Sequence, residues 1–441
     1  MGFSGFLNWL NKAWVFCFEK VKNFKAEIAA FVLYLILSLI ATWPLVLNFS
    51  TEVYGKHFYF FGDAIATLYG VWWNGYAISH GLSVLNNTMI SLSSGGSSSV
   101  LWYPYISFLA FFLHFFGNTV FVYNFIMISS IPLSAIAMFL LVKHFTKSNV
   151  SSFISGLIFS FVPYHFLRIQ MHMTLAQLQW MPLYILFLFK LDEEPNYQNA
   201  VLAGFFLALN FLTDFYYAAF MLVATVVFIA AKIIYKAYLR DFKINTKSVK
   251  FVLVSILVFL LIFTLFDYPL ISTYFTKGPP VTRLFLNVES ESTASLLYYV
   301  LPYYWNPFFG GFIVNNLGGF IDTSANFVEQ EIFISYTALI LALCFILFWV
   351  YSRLAKKSGK TRRKPVFNDF AIFFFILLGF TGVVMSVGPV INILGFQFNN
   401  ITYYLYQLSP TLRTYIRTAV LFFISVSVLA GMAVAKILDA L

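Results

Sequence analysis

TVFVYNFIMISSIPLSAIAMFLLV, residues 119–142, runs through 24 positions without an Asp, Glu, Lys or Arg. As a helix rising ~1.5 Å per residue it spans the ~30 Å hydrocarbon core of a bilayer. In that medium a lone segment must satisfy its own amides, and only a helix does so. Runs of this kind recur along nearly the whole chain. They place spans at 28–48, 119–142, 150–165, 176–190, 199–214, 216–236, 250–268, 331–352, 370–388 and 417–437. With 61% hydrophobic and 10% charged residues and a mean hydropathy of +0.83, a soluble globular domain is excluded. The expected fold is an all-α polytopic membrane protein of about ten transmembrane helices, one integral domain over residues 1–441.

The net charge of +10 has a topological cause and calls for no nucleic-acid partner, because the basic residues sit between spans. The loops Lys232–Lys250 and Arg353–Lys364 should face the cytoplasm. Residues 101–116 are short and carry Pro104 near their start. Read as an interfacial or re-entrant helix, they leave Lys12, Lys20, Lys22 and Lys25 inside. Of the 27 Lys and Arg residues, only Lys56, Arg168, Lys277, Arg283, Arg413 and Arg417 then lie outside. Both termini are expected in the cytoplasm, with external segments at 49–118, 268–330 and 389–416 and function on the outer face. Phe6 stands where myristoylation needs Ser or Thr, and the run ending at Asn48 has no cleavage pattern, so it should anchor. Cys17 and Cys344 are too far apart in sequence to suggest a disulfide or a metal site.

Outside, the string Phe61-Gly62-Asp63 opens an amphipathic segment reaching His80. Asp63, Thr67, Gly70 and Asn74 recur on one helical face and Ile65, Tyr69, Trp72 and Tyr76 on the other, as suits a helix in the headgroup region. Asp63 is the candidate base; it also fits a helix N-cap. The Ser/Gly-rich run Ser91–Ser99 reads as loop. His165, Arg168 and His172 share a face, continued by Gln179, and could hold a lipid phosphate. The alternative is snorkelling at a helix end. Two histidines seven apart with no carboxylate have no standard metal geometry, so no metal is assigned. Asp214 caps the helix after it or lines the site. Arg413 and Arg417 open the last span; outer arginines run against the charge bias, and a phosphate would explain them, as would headgroup anchoring. Glu329 and Glu331 open the eighth span. The loop before them, Tyr298–Gly319, is rich in aromatic residues, a weak sign of sugar platforms.

Four blocks carry a resemblance. They are Gly62-Asp63 with Trp72-Trp73 and His80-Gly81; Tyr103-Pro104-Tyr105 through Gly117-Asn118, Tyr123-Asn124 and Lys143; Pro163-Tyr164 through His172 and Gln179–Leu183; and Leu412-Arg413 with Arg417. On these the chain resembles the GT-C superfamily of membrane glycosyltransferases, and in layout its protein-mannosyltransferase and aminoarabinose-transferase group. The resemblance implies juxtamembrane helices in the first external loop and an acidic residue there, at Asp63, near the acceptor. It implies a polyprenyl-phosphate sugar as donor substrate, with no organic cofactor, and a glycan, lipid or protein acceptor. Relatives often carry two acids in this loop; here Glu52 and Asp63 stand eleven apart, which puts a metal-binding pair in doubt. The expected activity is inverting sugar transfer at the external face. Asp63 is the base, His165, Arg168, His172, Arg413 and Arg417 bind the phosphate, and Asp214, Glu331, Trp72 and Trp73 contact substrate. A lipid or glycolipid transporter is the main rival, but the chain has no convincing internal repeat. A polymerase or ligase acting on lipid-linked glycans is the second rival.

Overall fold

The computed structural model describes residues 24–55, 61–84, 87–91, 97–98, 103–240, 246–277, 296–304, 306, 308–317, 327–357, 367–393, 396–408 and 412–441. Lys12, Lys20, Lys22, Cys17, Lys56 and Arg283 lie outside the described residues. So do 92–96 and 99 of the Ser/Gly-rich run, most of the segment 278–326, and parts of both basic loops.

The described chain is helical almost throughout. Helix α1 (Lys25–Ala41) leads to a 3-10 turn at Leu45–Asn48, then α2 (Phe61–Ser79) and a two-stranded hairpin of β1 (Asn87–Ser91) and β2 (Ser97–Ser98). Next come α3 (Pro104–Leu113), α4 (Thr119–Thr146), α5 (Asn149–Ser160) and α6 (Pro163–Met171). Four more follow: α7 (Trp180–Glu193), α8 (Tyr197–Thr213), α9 (Phe215–Leu239) and α10 (Thr246–Lys277). The last third holds α11 (Gly310–Leu317), α12 (Phe327–Gln330), α13 (Tyr336–Lys357) and α14 (Asp369–Ser386). The hairpin of β3 (Val390–Ile393) and β4 (Phe396–Asn399) follows, then α15 (Ile401–Leu408), a 3-10 turn at Tyr415–Thr418 and α16 (Ala419–Leu438).

This is a helical polytopic membrane protein. Among the described residues six segments are long and apolar enough to cross a bilayer: 119–146, 215–239, 249–268, 336–355, 369–386 and 415–438. A seventh appears if α5 and α6, bent by 51° at their junction, count as one. That is fewer than the ten expected. Three expected spans form shorter helices, α1 and α8 of 17 residues and α7 of 14. The physical causes are local. Pro44 follows the end of α1, where the expected span was to run on to residue 48, and proline has no N–H for a helical bond. The expected start of the fourth span, 176–179, is irregular, and α7 begins at Trp180. At the bend, Pro163 forces Val162 into extended backbone (φ −67°, ψ 141°), breaking the 150–165 span before α6 restarts. Residues 331–335 are likewise non-helical, and the eighth span starts at Tyr336.

The segment 415–438 is the axis of the bundle, with 89% of its most apolar stretch buried, while none of the most apolar stretch of 249–268 is buried. The ion pairs gather at helix ends. Glu27 at the start of α1 meets Lys143 near the end of α4 at 2.6 Å, and His144 meets Glu193 at the end of α7 at 2.8 Å. Asp192 pairs with Lys232 late in α9, and Arg353 late in α13 with Asp369 at the start of α14. These helices therefore bring their charged ends together, leaving the opposite ends to the site described below.

Close approach of α1, α4 and α5 depends on Gly156. A Cβ there would lie 2.2 Å from the Tyr34 hydroxyl and 2.6 Å from the Ala135 carbonyl, and that hydroxyl donates to the Phe153 carbonyl at 2.9 Å. Gly156→Ala is expected to destabilise the chain by about 1–3 kcal/mol through overpacking, read as a lowered thermal midpoint in detergent. An unchanged midpoint would contradict the packing.

Candidate functional site

The site is built where the chain breaks its helices. Helix α6 ends at Met171, and the His172 amide closes the last turn on the Arg168 carbonyl at 2.8 Å. The irregular stretch beyond is pinned on several sides. Thr174 donates to the Asp214 carboxylate at 2.6 Å, Gln177 to the Ile126 carbonyl at 3.2 Å, and the Tyr217 hydroxyl to the Leu175 carbonyl. Helix α2 is tied to the end of α6 by Thr67, whose hydroxyl contacts the Met171 carbonyl at 3.2 Å and that of Asp63 at 2.7 Å. On the far side, Thr418 donates to the Gly382 carbonyl at 3.0 Å, fixing the 3-10 turn that carries Arg417. Gly382 is small for this reason: a Cβ would sit 2.9 Å from that of Leu421.

Five side chains then form one line. The Asp63 carboxylate lies 3.4 Å from Nε2 of His172, and Nδ1 of His172 lies 3.1 Å from Nη1 of Arg168. Arg168 donates to both oxygens of Glu329, at 3.2 and 2.6 Å. Arg417 approaches the same carboxylate, with Nε 3.2 Å from each oxygen and Nη2 2.6 Å from Oε1. Each guanidinium also stacks on a tyrosine, Arg168 4.4 Å from the Tyr164 ring and Arg417 4.8 Å from that of Tyr216.

Because a guanidinium only donates, Nδ1 of His172 accepts and its ring proton sits on Nε2, aimed at Asp63. That hydrogen bond holds the Asp63 carboxyl below its ordinary range, against the opposing effect of partial burial. Burial keeps His172 below its own ordinary value, outweighing the contribution from Asp63. Burial alone would push Glu329 up; the charges of Arg168 and Arg417 overcome it and hold the carboxyl well below the usual carboxylate range. The ring is therefore neutral and both acids are ionised at neutral pH. Two cations balance two anions.

The sequence-derived candidates separate. Asp63 has a 68% exposed side chain. It sits within the first turn of α2, two residues after Phe61, rather than at the N-cap. His172 and Arg417 join it, and Arg168 does so as a fully buried cation committed to Glu329 and His172. The Arg168 side chain has no exposed surface, and its terminal nitrogens go to Glu329 and His172, unlike the open phosphate contact expected of it. His165 is also corrected. It is fully buried, with Nδ1 2.8 Å from the Ser160 carbonyl and Nε2 2.8 Å from the Ala176 carbonyl and 3.0 Å from the Ser130 hydroxyl. Its face is that of Arg168, but at its depth the face meets Ser130, Ser160 and Ala176 rather than Glu329. Gln179 lies past the end of α6, against Gln177.

Arg413 is exposed, and its amide donates to the Tyr216 hydroxyl at 3.2 Å. Asp214 is buried, caps α9 through the Tyr216 amide at 2.8 Å, and burial raises its carboxyl. Glu331 is buried too, and burial pushes it up to about 8. Trp73 is fully buried and donates to the Val84 carbonyl at 2.9 Å, which anchors the chain after α2. Trp72 stays partly exposed, stacked on Tyr76 with centroids 5.2 Å apart. Asn74, expected on the water-facing side of α2, is buried. Among the described residues no three His, Cys, Asp or Glu groups are placed to share a metal ion.

Glu329 is the residue whose weight the sequence did not disclose. Its partners lie 161 and 88 positions away, and the only signal was an acid at the mouth of an apolar span. Compared with family models, the chain matches none, and no curated protein matches it.

Proposed function

We propose that this chain is a membrane glycosyltransferase that moves a sugar from a polyprenyl-phosphate donor to an acceptor hydroxyl. Asp63 takes the hydroxyl proton while the acceptor oxygen attacks the anomeric carbon. The carbon–oxygen bond to the phosphate breaks, its electron pair leaves on the phosphate oxygen, and the anomeric centre inverts. Arg417, whose side chain is 15% exposed, receives the departing phosphate. His172 holds the base in position, and Arg168 fixes the tautomer of His172. The observation that carries this reading is the unbroken contact line from the exposed Asp63 carboxylate to Arg417.

In this reading α1, α7 and α8 cross the bilayer as well, making ten spans with the bent α5–α6 pair counted as one. Both termini are then cytoplasmic and the site is external. The support is the gathering of Lys143, His144, Lys232 and Arg353 at the end away from the site, as the positive-inside bias demands. A 14-residue helix covers only about 21 Å, and α7 completes its crossing through the pinned stretch 172–179.

The donor is tested by supplying the reconstituted chain with a set of polyprenyl-phosphate sugars and following polyprenyl phosphate by mass spectrometry. Release from one donor is expected only with an acceptor present; a chain that consumes none of them is not this enzyme.

The pH response follows from the two lowered groups. Ionised Asp63 and neutral His172 are the working forms, and both lie on the alkaline side of depressed values. Transfer is therefore expected to stay level from about pH 6.5 upward and to fall on the acid side as His172 gains a proton. An inflection above about pH 6.5 in kcat/KM would assign the base to another group.

A further inference from the structure

The two guanidiniums differ in what they can release. Arg168 is fully buried, lies against Tyr164 and spends its terminal nitrogens on Glu329 and His172. Arg417 has a side chain 15% exposed, and its Nη1 makes no hydrogen bond among the described residues. Both converge on one carboxylate, the arrangement by which arginines hold a phosphate. The Glu329 side chain is 6% exposed and fills the space between them.

Charge makes this arrangement unstable towards a second anion. Arg168 and Arg417 are matched by Glu329 and Asp63, so an incoming phosphate would leave the cluster one negative charge in excess. The phosphate gains a further charge as the sugar departs. Pairing is restored at the arginines if Glu329 keeps Arg168 and yields Arg417.

We propose that Glu329 is a resident anion holding the place of the donor phosphate on Arg417, and that donor binding exchanges the carboxylate for the phosphate. This rests on the reading that the ligand carries a phosphate. The exchange lets the site stay folded and neutral when empty, and it ties release of the product to return of the carboxylate.

The test titrates farnesyl phosphate, a short isoprenyl monophosphate, into the full chain in lipid nanodiscs, with inorganic phosphate as a second probe. Glu329→Gln is expected to bind farnesyl phosphate about tenfold more tightly or better, a gain of about 1.4 kcal/mol. Glu329→Asp, whose carboxylate is drawn back by one methylene, is expected to bind several-fold more tightly, and Arg417→Ala to lose binding. Inorganic phosphate should give the same order at lower affinity, separating anion recognition from the lipid chain. Should Glu329→Gln fail to fold, Glu329→Asp decides. Equal or weaker binding by the folded variants, with the wild-type chain still binding, overturns the exchange and leaves the transferase reading standing. Absence of binding by the wild-type chain and every variant removes both.

Discussion

Asp63→Asn is expected to lower sugar transfer by about 10²–10⁴-fold while leaving the protein folded. The amide is isosteric and keeps an oxygen that can accept from Nε2 of His172, so the orientation of α2 against α6 survives. What it loses is the capacity to take a proton from the acceptor. The side chain is 68% exposed and its bond to His172 is long, at 3.4 Å, so stability should change by no more than about 0.5 kcal/mol. The pair of measurements, turnover of the lipid-linked donor and thermal midpoint of the same preparation, separates a base from a structural acid. Full activity in the variant would remove the assigned chemistry. A transporter of lipid-linked sugars would lose no transfer, having none.

The second large effect is on stability. Glu329→Ala leaves the guanidiniums of Arg168 and Arg417 facing each other with their common anion gone. Removing one partner of a buried ion pair typically costs about 3–5 kcal/mol, and here one deletion strands two cations. The expected result is a thermal midpoint lowered far more than by Asp63→Asn. As a control, Glu331→Ala should be milder, since burial keeps that carboxyl up at about 8 and it carries a proton at neutral pH. Equal effects of Glu329→Ala and Glu331→Ala would contradict the keystone role of Glu329. The sign with pH is fixed as well. A carboxyl held below its ordinary value contributes stability above that value and loses it as pH falls through the folded one. The contribution of Glu329 should therefore be complete at neutral pH and disappear only in strong acid.

Much of this was legible in the chain because charge is rare in it. In a sequence that is 10% charged, Asp63, Arg168 and Arg417 stand out beside apolar runs, and all three fall in one contact line. Helices read from periodicity reappear as well: α2 covers the amphipathic stretch after Asp63, and α3 the short apolar segment after Tyr103. Two kinds of feature were hidden. One is length in space. Hydropathy marks where a chain enters lipid, but the break at Pro163 and the irregular stretch before Trp180 shorten helices that the pattern draws as full spans. The other is the neighbour met by each face. His165 and Arg168 share a helical face, yet one meets Ser130, Ser160 and Ala176 and the other meets Glu329, and nothing local distinguishes the two depths. Asn74 failed for the same reason, buried although Asp63 on the same face of α2 stays exposed. The junction of residues 168, 329 and 417 lies beyond any periodicity, because it depends on how three distant helix ends meet.

A cryo-EM structure of the full chain in nanodiscs with a bound polyprenyl phosphate tests the central claim most directly. Phosphate density is expected within hydrogen-bond reach of the Arg417 guanidinium, in a chamber onto which Asp63 also opens. Phosphate density elsewhere in the bundle, or an Asp63 carboxylate turned away from the bound lipid, would contradict it.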